Sequence, residues 1–145
     1  MKPYLILFLF SAGLCSLQFS ASAQLSIDQV ENSIKPDGKY AILASNRRIF
    51  ESSVRNGKNF KSKYPNSQFQ IVVVGPIVKE LAEDESLIPK IEESKENGVP
   101  IILCRVAMAH LGVKKEDLHP YIQTTVGAYQ YMFGLQENGF RTLMP

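Results

Sequence analysis

The stretch Phe69–Pro76, FQIVVVGP, decides the fold. After Gln70 it is continuously apolar and mostly β-branched, which is typical of a central strand covered on both faces. Gly75 and Pro76 end the run, and because proline suits the first position of a helix, the pair predicts a turn from strand into helix. We therefore expect a strand–turn–helix unit in the middle of a parallel sheet.

The segments on either side continue this alternation. Before the central stretch, the apolar run Tyr40–Ala44 predicts a strand, and Asn46 predicts the N-cap of a helix that continues to about Lys63. After it, the pattern predicts helices over Leu87–Asn97, Arg105–Leu111 and Gly127–Asn138 and strands over Val99–Cys104, Tyr121–Val126 and Phe140–Leu143. Strands that alternate with helices predict one α/β domain over residues 39–145, with a mostly parallel five-stranded sheet and helices on both faces. A polar N-terminal arm, residues 24–38, precedes it.

Composition excludes several classes of protein. The chain has 145 residues, a formal net charge of +2, 45% apolar residues and two cysteines. This length fits one domain, and the apolar content excludes wholesale disorder. The near-neutral balance lacks the basic footprint of a nucleic-acid binder. The first strand–helix turn, Ala44–Arg48, lacks a glycine-rich phosphate loop, so we expect no nucleotide cofactor.

The N-terminus has the pattern of a secretory signal peptide. Lys2 precedes the apolar run Tyr4–Phe10, and the small-residue motif Ala21-Ser22-Ala23 follows. The run is too short for a membrane span, so we expect cleavage after Ala23 and a periplasmic or extracellular protein without a membrane anchor. Cleavage would also remove Cys15 and leave Cys104 as the single cysteine.

Cys104 is the main candidate for chemistry. Ligands and reactions gather at the carboxyl ends of strands in an open parallel sheet, and Cys104 closes the third predicted strand. It also precedes a helix, whose positive end would stabilise a thiolate, and Arg105 adds a cationic neighbour. The alternative is that Cys104 is a small apolar side chain buried at a strand end, as free cysteines often are.

Other residues at this edge of the sheet are weaker candidates for a functional site. Asn46 and the pair Gly75–Pro76 stand where a helix start can hold a small anion, although such a pair is more often only a tight turn. His110, six residues beyond Cys104 on the same short helix, is expected to point away from the thiol, and His119 to lie at the opposite edge of the sheet. Neither histidine is therefore expected to act as a general base, and no metal site is expected.

Two features suggest contacts with partners. Aromatic and other large apolar residues lie around most of the last predicted helix, which indicates a contact between subunits; they are Tyr129, Tyr131, Met132, Phe133 and Leu135. In addition, residues 46–64 are mainly basic and residues 79–96 mainly acidic, so these segments either pair between subunits or form two solvated faces.

Three segments together resemble the DsrE/DsrF-like family: Ile71–Pro76 (IVVVGP), Glu96–Cys104 (ENGVPIILC) and Leu135–Phe140 (LQENGF). The resemblance covers residues 39–145. It implies a three-layer α/β/α Rossmann-like fold that assembles into homo- or hetero-oligomers.

In the sulfur-relay members of this family, a cysteine after the third strand accepts persulfide sulfur and passes it to a partner protein. Cys104 matches that position. The resemblance therefore implies an exported protein that handles sulfur without a cofactor, with a sulfur donor or acceptor protein as partner. The alternative is a non-catalytic homo-oligomeric module that binds a ligand or partner, with Cys104 purely structural.

Overall fold

The computed structural model describes residues 24–145, so the predicted signal peptide and Cys15 lie outside the described residues. The chain divides into two units, residues 1–33 and residues 34–145. The described part of the first unit contains helix α1 (Ile27–Asn32), which is held by a reciprocal capping box between Ser26 and Gln29.

The second unit is a sheet with five helices. Its strands are β1 (Lys39–Ala44), β2 (Gln68–Val73), β3 (Ile101–Cys104), β4 (Gln123–Thr125) and β5 (Arg141–Leu143). Its helices are α2 (Arg47–Lys63), α3 (Ile77–Glu83), α4 (Ile88–Glu96), α5 (Arg105–Leu111) and α6 (Ala128–Glu137). None of the helices in residues 24–145 is long and apolar enough to cross a membrane.

The sheet has the order β4-β3-β2-β1-β5, and every pair of neighbouring strands is parallel. The predicted α/β class is confirmed, and the sheet is entirely rather than mostly parallel. Residues 69–73 belong to β2, the middle strand, where Ile71, Val72 and Val73 are fully buried. Because β2 is covered on both faces, its apolar run has no polar alternation.

The direction of each crossover decides which face a helix covers. From β1 to β4 the chain steps in one direction across the sheet, and right-handed crossovers then place the intervening helices on one face. This first face packs on a large core that includes Phe50, Val54 and Ile91. The connection from β4 to β5 runs back across the sheet, so α6 lies on the second face with Met132 and Leu135 buried.

Local signals set several of the boundaries. Asn46 is the N-cap of α2, as predicted, and its Oδ1 accepts a hydrogen bond of 3.0 Å from the backbone N–H of Ile49. Helix α3 begins at Ile77 instead of Pro76. Strand β4 is shorter than predicted because it is an edge strand that pairs only with β3, over Gln123–Thr125.

The basic and acidic segments contact each other within the chain. The Arg47 guanidinium lies 2.5 Å from the Asp84 carboxylate and 2.9 Å from that of Glu51. Lys58 on α2 also reaches Glu93 on α4, at 3.2 Å. Part of the charge that the sequence offered for contacts between subunits is therefore paired inside one chain.

Candidate functional site

Cys104 is the last residue of β3, and its side chain points to the second face, beneath α6. Only 6% of the residue is exposed. Its Sγ accepts a hydrogen bond of 3.4 Å from the backbone N–H of Ala128, the first residue of α6. An N–H in the first turn of a helix has no partner within the helix, so this bond satisfies a donor that would otherwise be free.

This contact differs from the one expected from sequence. The expectation was that α5, which directly follows Cys104, would present its positive end to the thiol. Cys104 is the N-cap residue of α5 but makes no side-chain capping hydrogen bond there. The helix terminus that meets the sulfur is that of α6, which begins 24 residues later. A hydrogen-bond donor in this position can stabilise negative charge that develops on the sulfur.

Contacts across the sheet hold α6 over the thiol. The Tyr131 hydroxyl donates a hydrogen bond of 2.8 Å to Gln70 Oε1 on β2, and Gln136 donates one of 2.7 Å to Thr142 on β5. Burial beside the sheet raises the pKa of the Tyr131 hydroxyl. These bonds, with the buried Met132, fix the position of the Ala128 N–H relative to the sulfur.

An open recess of about 310 Å³ borders Cys104. Its lining is largely apolar and consists of Val74, Cys104, Val106, Ala107, His110, Gly127, Ala128, Tyr129 and Gln130. The thiol is thus packed against the core on one side and borders a solvent-open space on the other. The low exposure agrees with a structural role of Cys104, whereas its place in the lining of the recess is compatible with a reactive one.

His110 is exposed and lines the same recess as Cys104, a position that the sequence analysis did not predict. The expectation that its side chain points away from the thiol extended the helical rotation of 100° per residue back to Cys104. That residue has extended backbone angles, φ −76° and ψ 116°, so the strand sets its side-chain direction. Within the described residues, no hydrogen bond joins His110 to the thiol.

His119 is separate from the recess. Its Nε2 lies 2.9 Å from Glu92 Oε1, and its Nδ1 accepts a hydrogen bond from the backbone N–H of Tyr121. This arrangement ties the segment before β4 to α4. Residues 24–145 contain no group of three or more histidine, cysteine, aspartate or glutamate side chains arranged to hold a metal ion.

The remaining predicted site residues lie outside the recess lining. Asn46 uses its side chain to cap α2, and Arg105 and Pro76 are exposed. Gly75 has φ +70°, which a residue with a side chain rarely adopts, and a Cβ there would lie 2.9 Å from the Ser45 carbonyl oxygen. Gly75–Pro76 therefore has the geometry of a tight turn packed against the end of β1.

Large exposed apolar side chains lie in the lining of the recess and close to it in the sequence. Val106 and Tyr129 line the recess and are 51% and 64% exposed, and Val126 and Phe133 nearby on the sequence are 59% and 63% exposed. We call these four residues the apolar rim. The sequence signal for it was the excess of apolar residues on α6, whose buried face uses Met132 and Leu135.

Comparison with solved structures shows the fold. MTH1491, a protein of unknown function from Methanobacterium thermoautotrophicum, has a TM-score of 0.67 at 15% identity, over 75% of this chain and 100% of that one. BT1422, a conserved protein of unknown function from Bacteroides thetaiotaomicron, has a TM-score of 0.60 at 20% identity, over 79% and 100%. The ychN protein from E. coli has a TM-score of 0.61 at 14% identity, over 74% and 99%.

The three structures share this all-parallel α/β architecture, which agrees with the DsrE-like fold implied by the sequence resemblance. No protein-family model matches the chain, and no curated protein sequence matches it significantly. At these identities the likeness shows the fold alone, so function has to be argued from the site.

Proposed function

We propose that this protein handles sulfur in the manner of DsrE/DsrF-like relay proteins, with Cys104 as the residue that accepts and transfers persulfide sulfur. The observation that carries the proposal is the position of the thiol: it ends the third strand, receives the Ala128 N–H and borders an open recess. The carboxyl end of a parallel strand is also where this architecture usually places chemistry.

The proposed step conserves atoms and electrons. The Cys104 thiolate attacks the outer sulfur of a donor persulfide, R–S–S–H, and forms a new S–S bond. The original S–S bond breaks, and the donor leaves as a thiolate that takes up a proton. Cys104 then carries the extra sulfur until an acceptor thiolate attacks it in the same way. A recess with an apolar lining suits this compact, weakly hydrated group.

The setting and partners are part of the proposal. The pattern of residues 1–23 supports export, and hence a sulfur donor or acceptor outside the cytoplasm. The apolar rim, with Tyr129 and Phe133 mostly exposed, supports a contact with another protein beside the recess, and a second copy of this chain is the simplest such partner.

The alternative is a non-catalytic module in which Cys104 only fills space, and the 6% exposure of Cys104 favours it. Intact-mass spectrometry of the folded protein after exposure to a small persulfide donor separates the two functions. We expect one added sulfur on the wild type, its transfer to an acceptor thiol, and no addition to Cys104→Ser. Modification only after unfolding would show that the thiol is structural.

A second pair of variants tests the route to the sulfur. Val106→Trp places a large side chain at the recess, at a residue that is already 51% exposed, and should slow the addition of sulfur. Ala109→Trp makes a similar change at an exposed residue of the same helix outside the recess lining and should leave the rate unchanged. Equal rates in both variants would show that sulfur does not enter through the recess.

A further inference from the structure

A second concave site lies on the first face, where α2 meets the edge strand β5. This groove has a volume of about 520 Å³, within the roughly 300–1,000 Å³ that is usual for small organic ligands. Its lining consists of Ile42, Arg48, Ile49, Ser52, Ser53, Asn56, Leu143, Met144 and Pro145. None of these residues takes part in the Cys104 site.

Ser53 is the least expected residue of the groove. It is only 1% exposed, yet within the described part of the chain its hydroxyl makes no hydrogen bond. The other two buried serines are satisfied, since Ser67 donates to the Tyr64 carbonyl at 2.6 Å and Ser94 to the Val99 carbonyl at 2.6 Å. Buried polar groups almost always have a partner, so Ser53 indicates a ligand that supplies one.

The geometry leaves the hydroxyl facing the groove. Among the described residues, no fully enclosed side-chain nitrogen or oxygen lacks a hydrogen-bond partner. The Ser53 oxygen is therefore not sealed inside the core, and the small exposed part of this residue lies where it lines the groove. A ligand group placed there can accept the hydrogen bond for which residues 24–145 supply no acceptor.

Arg48 gives the groove its charge. It has the one charged side chain of the lining, and it belongs to none of the ion pairs among residues 24–145. Its neighbour Arg47, by contrast, is paired with both Glu51 and Asp84. An unpaired guanidinium beside apolar walls favours a planar anion such as a carboxylate, with which it forms two parallel hydrogen bonds.

The walls favour an apolar ligand body. Ile42 and Ile49 are half-buried, whereas Leu143 and Met144 are 65% and 59% exposed. These four side chains leave apolar surface uncovered because β5 is an edge strand, with no further strand or helix beyond it in the described domain. A ligand body of methylene or aromatic groups would remove this surface from water.

We propose that this groove binds a small amphiphilic monocarboxylate. Its carboxylate pairs with Arg48 and accepts a hydrogen bond from Ser53, and its apolar body lies against Ile49, Leu143 and Met144. A single cationic side chain matches one negative charge, and an ammonium compound would be repelled. The proposal does not depend on sulfur chemistry at Cys104, and either can fail without the other.

Titration of isotope-labelled protein with octanoate, followed by amide NMR shifts, tests the site. We expect saturable shifts centred on β5 and the first half of α2. Binding of 1-octanol should be weaker, and octylamine should not bind. Shifts centred elsewhere, or equal binding of octanol and octanoate, would overturn the proposal. No binding of octanoate would overturn it as well, and this includes the case in which a second copy of the chain already fills the groove.

Three variants sharpen the test. Loss of a hydrogen bond to a charged group should weaken octanoate binding about tenfold or more in Arg48→Gln. Arg55→Gln removes an exposed arginine of the same helix outside the groove lining and should bind like the wild type. Ser53→Ala should bind octanoate more weakly than the wild type does, and its affinity for octanol should be unchanged. Unchanged octanoate affinity in Arg48→Gln would overturn the proposal.

Discussion

Replacement of Gly75 by alanine should destabilise the domain through a clash with a backbone atom. Gly75 has φ +70°, and an added Cβ would lie 2.9 Å from the Ser45 carbonyl oxygen at the end of β1. This oxygen belongs to the backbone, so it cannot rotate away as a side chain would. The turn after β2 and the end of β1 would have to separate to accommodate the methyl group.

The expected loss of stability in Gly75→Ala is the sum of two costs. The left-handed backbone conformation costs a residue with a side chain roughly 1–2 kcal/mol. Overpacking against a fixed neighbour adds about 1–3 kcal/mol. Gly75→Ala should therefore lower the free energy of unfolding by about 2–5 kcal/mol, a large part of the total stability of a domain of this size.

Gly112→Ala is the matched control. Gly112 ends α5 with φ +71°, and a Cβ there would meet nothing within 4 Å. This variant carries the same backbone cost without the clash, and both variants reduce the freedom of the unfolded chain equally. The difference between them should be about 1–3 kcal/mol and reports on the contact with Ser45 alone.

Urea denaturation followed by circular dichroism measures both variants under identical conditions. We expect a lower midpoint for Gly75→Ala than for Gly112→Ala, at an unchanged slope. Equal midpoints would refute the reasoning, because the approach of the turn to Ser45 would then carry no steric cost.

Two further predictions concern charge and packing. Hydrogen bonds from Ser86 and Arg47 hold the pKa of Asp84 at about 2, below its ordinary 3.8, so its contribution to stability is present above about pH 4 and is lost as the pH falls towards 2. Urea midpoints should therefore fall less steeply over this range in Asp84→Asn, and an identical pH profile would contradict the assignment. Met132→Ala should cost about 2–5 kcal/mol, because Met132 lies on the buried face of α6. Phe133→Ala, at a residue of the same helix that is 63% exposed, should change the stability by no more than about 0.5 kcal/mol in the same assay. Similar losses would show that the buried face of α6 is assigned wrongly.

The sequence predicted the fold because its signals are local. The unbroken apolar run of Ile71–Val74 indicated a strand buried on both faces, and Asn46 marked the start of α2 within one residue. Alternation of strands and helices then implied parallel pairing, since each crossover returns the chain in the same direction. The exact ends of short edge elements such as β4 depend on the neighbouring elements, so the predicted ends were less accurate there.

The site was only partly predictable. The position of Cys104 at a strand end follows from local sequence, but the N–H that meets its sulfur comes from Ala128 and depends on how α6 lies across the sheet. The same holds for His110, which lines the recess together with residues of β3 and α6. The groove beside Ser53 forms between elements distant in sequence, and no local pattern indicated it. Export and cleavage after Ala23 stay predictions.

The return of the chain through α6 also sets an order of assembly during synthesis. β1 is an inner strand of the finished sheet, but its second neighbour, β5, is the last strand to be made. Cys104 likewise emerges well before α6, the helix that covers it. A growing chain therefore has an open sheet edge at β1 and an uncovered thiol until α6 and β5 have been made, and the docking of these two neighbouring elements covers both.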